Sequence, residues 1–260
     1  MVRVGVVGAG GRMGAEVCRA IADAEGLELV AAIDPGRAGA TLRDVTGIDT
    51  DLTVLAELEG LTTAEVEVAV DFTAPAVAAA NTAWLLAHGI HAVIGTTGIT
   101  ADQLQALREA ASTGPANALI APNFAIGAVL LMQFAAAAAR HMPDVEIIEL
   151  HHDGKVDAPS GTALRTADLI ADNRTREVSP VGGDAPPGAR GHVHRGVVIH
   201  SVRLPGLVAH QEVLFGGLGQ TLSIRHDSLD RTSFMPGVLL AVRRVGQLDG
   251  LVVGLESLLG

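Results

Sequence analysis

A segment near the middle of the chain collects side chains that can move protons and bind anions. It runs from Glu149 to Thr162 and contains the adjacent pair His151 and His152 and, three residues later, Lys155. Histidine readily takes up and releases a proton near neutral pH, and lysine can donate one. Adjacent residues that leave a strand point to opposite faces, so one histidine could face the ring of a bound molecule while the other binds its edge.

Lys155 is the only lysine among the 18 lysines and arginines of the chain, so the other 17 are arginines. Arginine is effectively always protonated and cannot donate a proton at neutral pH. A chain with this bias keeps a lysine where a proton donor is needed, although chance composition is the alternative. We therefore predict that Lys155 is a proton donor.

The same segment is predicted to leave a strand, Asp144–His151, and to enter a helix, Gly161–Asp172. Ser160 has the residue type of a helix N-cap. The backbone N–H groups near Gly161 and Thr162 would then form an anion site that suits a carboxylate of a small substrate.

A metal site is the competing interpretation of the histidines. A zinc site needs three or four ligands, and His151 and His152 have no second His or Cys pair at motif spacing. His192 and His194 alternate in a segment, 174–195, that we predict to be a long loop, and they are interpreted as surface residues. We therefore predict no metal.

A glycine-rich turn follows the first predicted strand, Val2–Val7, and precedes a predicted helix, Gly11–Ala24. Its residues are Gly8, Ala9, Gly10, Gly11, Arg12, Met13 and Gly14. Met13 replaces the third glycine of G-x-G-x-x-G, but the glycines at 8, 11 and 14 fit a G-x-x-G-x-x-G variant. Such turns let the backbone approach a pyrophosphate at a helix N-terminus. The turn predicts a dinucleotide cofactor, with an ordinary strand–helix turn as the alternative.

Asp34 ends the second predicted strand, Leu27–Ile33, 20 residues after Gly14. An acid there can bind the ribose 2′-OH and repel a 2′-phosphate, which favours NADH. Arg12 and Arg37 are close in sequence and could pair with a phosphate, so we expect NADPH to be usable as well. The alternative is that Asp34 is only a turn former before a Pro-Gly pair.

Two later turns follow predicted strands at His91–Ile94 and Leu119–Ile120. Ligands of open parallel sheets bind beyond the carboxyl ends of the strands, so both turns are candidates for holding the nicotinamide carboxamide. A plain turn is the alternative for each. The residues are Gly95, Thr96, Thr97 and Gly98 in one turn and Ala121, Pro122, Asn123 and Phe124 in the other.

These turns belong to an alternation of short apolar strands and helices, which predicts an α/β fold: a Rossmann-like parallel sheet covered on both faces. The pattern then changes to successive strands, which predicts a second, α+β domain with a mixed sheet for substrate binding and oligomerisation. We expect the dinucleotide-binding domain to comprise residues 1–122 and 231–260, with a final helix at Thr232–Val245. The second domain is expected to comprise residues 123–230.

Composition excludes several other classes. The net charge of −11 argues against a nucleic-acid binder, and one cysteine rules out a disulfide framework.

The apolar stretch 116–139 is split by Pro122, Asn123 and Gln133, so we predict a strand, a loop and a helix there and no membrane span. No secretory signal is seen, and we expect a cytoplasmic protein. With 48% hydrophobic residues but no tyrosine, the core must be aliphatic.

Four of these motifs occur together and in order, and together they resemble the 4-hydroxy-tetrahydrodipicolinate reductase (dihydrodipicolinate reductase) family. The similarity spans nearly the whole chain, through Leu207–Val213 and Arg225–Ser228. The specific motif is His-His-x-x-Lys-x-Asp-Ala-Pro-Ser-Gly-Thr. The others are Val7–Gly14, Gly95–Gly98 and Ala121–Phe124.

The resemblance implies reduction of a cyclic imine-type dicarboxylate, 4-hydroxy-tetrahydrodipicolinate, by NADH or NADPH with loss of water. The product, tetrahydrodipicolinate, lies on the diaminopimelate route to lysine. The resemblance also implies a homotetramer assembled through the central sheet. Some members carry Glu-Arg where this chain has Asp34-Pro35. Because no arginine follows Asp34 directly, we expect no strong preference for NADPH.

The resemblance assigns roles residue by residue. His151 would be the proton donor or acceptor and Lys155 the proton donor. The expected substrate-binding residues are His152, Ser160, Gly161, Thr162 and Thr97. The expected cofactor-binding residues are Gly8, Ala9, Gly10, Gly11, Arg12, Met13, Asp34, Gly95, Thr96, Thr97, Ala121, Pro122, Asn123 and Phe124.

Two rival functions share the predicted first domain. Another dehydrogenase, such as an aspartate or homoserine dehydrogenase, has no evident need for the paired histidines with a lysine and the Ser-Gly-Thr turn. A regulator that senses NAD(H) would need a DNA-reading module with a basic face. The sequence has neither a helix-turn-helix segment before the glycine loop nor a basic run.

Overall fold

Two units divide the chain in the computed structural model, which describes residues 1–96, 98–176, 178 and 188–259. The first unit comprises Met1–Phe124 and Phe234–Gly260, and the second comprises Ala125–Ser233. The strands are β1 (Val2–Val7), β2 (Leu27–Ile33), β3 (Val68–Asp71), β4 (His91–Ile94), β5 (Ala118–Ile120), β6 (Asp144–His151), β7 (His192–His194), β8 (Val197–Arg203), β9 (Ala209–Gly217), β10 (Gln220–Ser228) and β11 (Leu251–Val253). The helices are α1 (Arg12–Asp23), α2 (Leu42–Thr46), α3 (Glu59–Thr63), α4 (Pro75–Ala87), α5 (Ala101–Thr113), α6 (Ile126–Ala139), α7 (Gly161–Asn173) and α8 (Met235–Arg244).

The first unit is built on a six-stranded sheet with the order β11-β5-β4-β3-β1-β2. All neighbouring strands in it are parallel. The chain passes from β2 across β1 to β3 on the other side, so the strand order reverses next to β1. In open parallel sheets the carboxyl ends of the strands at such a reversal form a ligand-binding edge. The predicted Rossmann-like sheet is confirmed.

The core of the first unit is aliphatic, as the absence of tyrosine requires. Val6, Val70, Val93 and Leu119, one on each of four strands, are completely buried. The central strands β3, β4 and β5 are buried along nearly their whole length, which fits a parallel sheet that is covered on both faces.

The second unit contains a five-stranded sheet with the order β10-β9-β6-β8-β7. β6 and β8 are parallel, and the other neighbours are antiparallel. The helices α6 and α7 pack on one face of this sheet. Gly127 of α6 lies against the ring of His226, and Thr166 of α7 accepts a hydrogen bond from Gln211. The predicted mixed sheet is therefore also confirmed.

The prediction of one long loop over 174–195 is wrong at its end, because His192–His194 form the edge strand β7. Arg195 and Gly196 both have a positive φ, 47° and 75°, and they link β7 to β8 as a two-residue hairpin turn. That turn matches the twist of the paired strands. Residues 177 and 179–187 of the predicted loop lie outside the described residues.

The final helix begins later than predicted. Residues Arg231–Phe234 form a short 3-10 helix, and α8 starts at Met235 with a proline in its first turn. Proline lacks an N–H group and is tolerated only at the start of a helix, which explains the boundary.

The apolar stretch 116–139 is divided between β5 and α6, as the sequence predicts. Within the described residues, no helix is both long enough and apolar enough to span a membrane.

Candidate active site

The glycine loop between β1 and α1 is packed backbone against backbone. The N–H group of Gly11 donates to the carbonyl of Gly8 at 3.0 Å, and Gly8 has a φ of +82°. A Cβ at Gly14 would collide with the same Gly8 carbonyl. The helix N-terminus can approach the strand end only because these positions lack side chains, which explains the 8, 11, 14 spacing.

Asp34 ties the glycine loop to the end of β2. Its Oδ2 accepts a 2.8 Å hydrogen bond from the N–H of Gly10, and its Oδ1 accepts one of 2.9 Å from Gly36. A Cβ at Gly10 would meet the side chains of both Asp34 and Arg37. Asp34 is therefore the turn former that the sequence allowed. An ionised carboxylate has further lone pairs, so these bonds leave room for a ribose hydroxyl.

Phe72, which follows β3, brings two of the predicted cofactor segments together. A Cβ at Gly95 would collide with the ring of Phe72, and the ring of Phe124 lies at 5.7 Å, centroid to centroid. Next to it, the Oγ1 of Thr96 donates to the carbonyl of Thr73 at 2.8 Å. Phe72 and Thr73 were not predicted as site residues. Their position at the carboxyl end of the strand beside β1 is the signal that could have found them.

Asp71, the last residue of β3, holds the turn that follows this strand. It is completely buried, and its carboxylate accepts hydrogen bonds from the N–H and Oγ1 of Thr73 and from Asn81, at 2.6–2.8 Å. Burial raises the pKa of Asp71 above its usual range, against the opposing effect of these hydrogen bonds.

The other predicted cofactor residues differ in exposure. Ala9 and Ala121 are buried, Met13 and Asn123 are half-buried, and Arg12 and Pro122 are exposed. Thr97 lies outside the described residues.

In the second unit, Glu149 is the buried centre of the predicted catalytic segment. It lies two residues before His151 on β6, so both side chains are on the same face of the strand. Its Oε2 is 2.5 Å from the Nδ1 of His151, and its Oε1 accepts a 3.2 Å hydrogen bond from the N–H of Ser160. Burial alone would raise the pKa of Glu149. Hydrogen bonds from His151, Arg203 and Ser201 outweigh burial and lower the pKa to about 2.

Arg203, at the end of β8, uses all five of its N–H groups. Two form a bidentate pair with the two carboxylate oxygens of Glu149, both at 2.9 Å. The other three donate to the carbonyls of Val202, Lys155 and Asp157 at 2.7, 3.3 and 2.6 Å. Arg203 therefore connects the strand that carries His151 with the loop that carries Lys155.

The ammonium group of Lys155 lies near the surface of this loop. Its Nζ donates a 2.7 Å hydrogen bond to the Oδ1 of Asp157. This hydrogen bond lowers the pKa of Asp157 below its usual range. The N–H of Lys155 donates to the carbonyl of His152, whose side chain is exposed.

Helix α7 begins as the sequence predicts. The Oγ of Ser160 accepts a hydrogen bond from the N–H of Ala163 at 3.2 Å, which makes it the N-cap. Gly161 is exposed, and a Cβ there would meet no atom within 4 Å. The start of the helix is thus open in the second unit.

A hydrogen-bonded chain supports that first turn from the sheet. Gln211 of β9 donates to the Oγ1 of Thr166, which donates in turn to the carbonyl of Thr162. Gln211 is buried, and its Oε1 has no partner among the described residues.

Roles for Glu149, Asp157, Arg203 and Gln211 were not predicted. Spacing along β6 could have flagged Glu149, which lies two residues before His151. Arg203 is the register partner of His151 on the neighbouring parallel strand, and no local pattern reveals such a pairing. Within the described residues, no cluster of three or more His, Cys, Asp or Glu side chains could hold a metal.

A parallel sheet with a glycine-rich first turn, joined to a mixed sheet that carries an acid–base cluster, defines a two-domain oxidoreductase of the dinucleotide-binding class. Comparison with known proteins identifies the family. The family model "Dihydrodipicolinate reductase, N-terminus" matches residues 2–124, and "Dihydrodipicolinate reductase, C-terminus" matches residues 127–259. The chain belongs to the dihydrodipicolinate reductase family, which confirms the resemblance seen in the motifs.

Individual members of the family are similar to this chain over its full length. The chain is 52% identical to a 4-hydroxy-tetrahydrodipicolinate reductase of Listeria welshimeri, covering 99% of this chain and 100% of the relative. A dipicolinate-bound dihydrodipicolinate reductase from Paenisporosarcina superposes with a TM-score of 0.88 at 44% identity, covering 99% of both chains. An aspartate dehydrogenase from Thermotoga maritima, with a TM-score of 0.51 and 11% identity over 94% of this chain and 96% of its own, shares the fold alone. The chain is accordingly an NAD(P)H-dependent reductase of the 4-hydroxy-tetrahydrodipicolinate type.

Proposed function

We propose that this chain converts 4-hydroxy-tetrahydrodipicolinate to tetrahydrodipicolinate through the proton chemistry of His151 and Lys155. The reaction takes up one hydride and one proton and releases water. The proposal rests on the hydrogen bonds of Arg203. This residue donates both to Glu149, which contacts His151, and to the backbone carbonyl of Lys155. The only lysine of the chain and the candidate histidine are thus held by one guanidinium group.

The first unit fits a dinucleotide. The glycine positions that bring the start of α1 against the end of β1 have little or no room for a Cβ, so a phosphate can approach the backbone at the positive end of the helix dipole. A bound reduced nicotinamide supplies the hydride. Gly8, Gly10 and Gly11 would hold the pyrophosphate, and Gly95 and Phe124 would lie beside Phe72 to hold the nicotinamide. Ala9, Arg12, Met13, Thr96, Thr97, Ala121, Pro122 and Asn123 complete the proposed cofactor set.

NADH is the favoured form in this proposal. Asp34 holds the glycine loop through Gly10, which places a negative charge where a 2′-phosphate would be repelled. Arg37 packs over Gly10 and is exposed, so its guanidinium group is available to a phosphate and keeps NADPH usable.

Protonation completes the reduction in the second unit. Hydride addition leaves an electron-rich, enamine-like ring carbon that needs a proton. Lys155 is the proposed donor, and His151 is the proposed donor or acceptor that passes protons in the same cluster. Arginine could not replace Lys155 in this step, because it does not release its proton at neutral pH.

Binding of the dianionic substrate uses the open start of α7. The helix N-terminus carries a partial positive charge, which suits a carboxylate. Ser160, Gly161 and Thr162 are the proposed contacts there. His152 and Thr97 are further proposed substrate-binding residues, on the motif match alone. The protonated Lys155 adds positive charge in a chain whose net charge is −11.

We also propose that the chain acts in the cytoplasm as a homotetramer assembled through the second sheet. The sheet face opposite α6 and α7 carries Ile148, Leu150, Val202 and Leu214, none of which is buried in the single chain. Apolar side chains grouped on an open sheet face favour assembly. Light scattering with size-exclusion chromatography tests this, and a monomer at micromolar concentration would contradict it.

The function is tested with freshly prepared substrate in a coupled assay. Absorbance of NADH and of NADPH is followed separately for the wild-type chain. We expect substrate-dependent oxidation of both nucleotides, faster at low concentration with NADH. No oxidation above the rate without enzyme would refute the proposal.

A further inference from the structure

We propose that Glu149 and Arg203 are positioning residues that act as one clamp on the two proton-transfer groups. Glu149 would fix which ring nitrogen of His151 is free, and Arg203 would fix the loop that presents Lys155. This inference rests on the proposed function. It assigns roles to two side chains that do not have to touch the substrate.

The imidazole of His151 is held by the carboxylate of Glu149. A Glu149 carboxylate that is ionised above about pH 2 can only accept hydrogen bonds, so the Nδ1 of His151 at 2.5 Å must carry the proton. In the neutral ring, Nε2 is then the basic nitrogen. Among the described residues Nε2 has no hydrogen-bond partner, so the clamp leaves this nitrogen available to exchange protons.

The loop between His151 and α7 is held by the guanidinium group of Arg203. Arg203 donates to the carbonyls of Lys155 and Asp157, so it fixes the backbone on both sides of Val156. Asp157 in turn accepts from the ammonium group of Lys155. Only a planar guanidinium presents five donors in fixed directions, and a lysine at this position could not reproduce these bonds.

Stability alone does not account for the ion pair of Glu149 and Arg203. Glu149 is completely buried, and the side chain of Arg203 is 18% exposed. Replacing a buried ion pair by apolar residues of similar size is often neutral or stabilising, so burial gives no sufficient reason for these charges. Their contacts run instead to His151, Lys155 and the N-cap residue Ser160, which are all proposed site residues.

The register of the sheet explains why these residues meet. His151 of β6 is the parallel partner of Arg203 of β8, and Glu149 is the partner of Ser201. Arg203 therefore stands beside His151 and reaches back to the carboxylate of Glu149. A shift of one residue in this register would turn these side chains to the other face of the sheet.

The test combines kinetics with a spectroscopic measurement. We expect Arg203→Lys to lower kcat by about 100-fold, with the KM for NADH within two-fold of wild type, because misplacement of about 1 Å costs about that factor. We expect 15N NMR of wild-type protein to show the Nδ1–H tautomer of neutral His151, and Glu149→Gln to lose that preference. Glu146→Gln, on the same strand and paired with His200, is the matched control and should change neither result.

The outcomes separate the inference from the function on which it rests. Wild-type kcat in Arg203→Lys, or an Nε2–H tautomer in the wild-type protein, would overturn the clamp even if the enzyme is active. If the wild-type chain fails to reduce the substrate, the proposed function is wrong, while the tautomer measurement still decides whether the clamp exists. Since the tautomer is read on the wild-type protein, a variant that fails to fold does not remove the test.

Discussion

The ammonium group of Lys155 lies 2.7 Å from the carboxylate of Asp157, two residues further along the same loop. The lysine side chain is 24% exposed and the aspartate 58%, so the pair is partly open to solvent. Exposed ion pairs contribute about 0–1 kcal/mol to stability. The pair therefore serves mainly to hold the only lysine of the chain in place, which makes substitutions at 155 informative about chemistry and not about folding.

Lys155→Arg should separate charge from proton donation. Arginine keeps the positive charge and can still pair with Asp157, but it cannot release a proton at neutral pH. We expect kcat to fall by about 10²- to 10⁴-fold, with a smaller change in the substrate KM than in Lys155→Ala. Steady-state kinetics of both variants check this, with the exposed Asp153→Asn in the same loop as the control. A Lys155→Arg enzyme with wild-type kcat would exclude Lys155 as the proton donor.

Asp34 and Arg37 should affect the two nucleotides in opposite ways. Asp34→Ala removes the negative charge near the expected ribose and should weaken NADH more than NADPH. Arg37→Ala removes a cation over Gly10 and should weaken NADPH more than NADH. Dissociation constants from nucleotide fluorescence measure both effects. We expect the constant of the more affected nucleotide to rise by about 3- to 10-fold in each variant, since one such contact contributes about 1 kcal/mol. Equal losses for both nucleotides in Asp34→Ala would show that the acid only holds the glycine loop.

Much of the fold was predictable because local patterns determine it. The predicted bounds of β1, β2 and β6 coincide with those of the structure, since apolar runs mark them. The hairpin between β7 and β8 was missed. Both of its turn residues have a positive φ, but only Gly196 is of a residue type that indicates this conformation in the sequence.

The candidate site was predictable only in part. The motifs name the side chains that carry chemistry, while the groups that hold them come from strands distant in sequence. Arg203 is 54 residues from Glu149, and only the parallel register of β6 and β8 brings them together. The packing of Phe72 under Gly95 likewise depends on the order of β3 and β4, which no local pattern contains.

Gly14→Ala tests the close approach in the glycine loop. The added methyl group would meet the carbonyl of Gly8, which is backbone and cannot move aside cheaply. We expect a loss of about 1–3 kcal/mol in the free energy of unfolding and weaker nucleotide binding, as for overpacked sites. Gly216→Ala is the control, because a methyl group there meets no atom within 4 Å. Urea denaturation and NADH titration are the measurements, and equal stability of the two variants would contradict the packing argument.

Glu149 should make the stability of the chain depend on pH in the acid range. Its pKa is about 2 in the folded chain against an ordinary value of 4.5 in the unfolded one. The unfolded state therefore binds a proton first as the pH falls, and the stabilisation, complete above about pH 4.5, is lost towards pH 2.

Glu149→Gln removes this titration, so between pH 5 and 3 its stability should fall less steeply than that of the wild type. The difference in slope approaches one proton, about 1.4 kcal/mol per pH unit. Urea denaturation at half-unit pH steps gives both slopes, provided that the m-values agree. Parallel pH dependence of the two proteins would mean that Glu149 is not held ionised by His151 and Arg203.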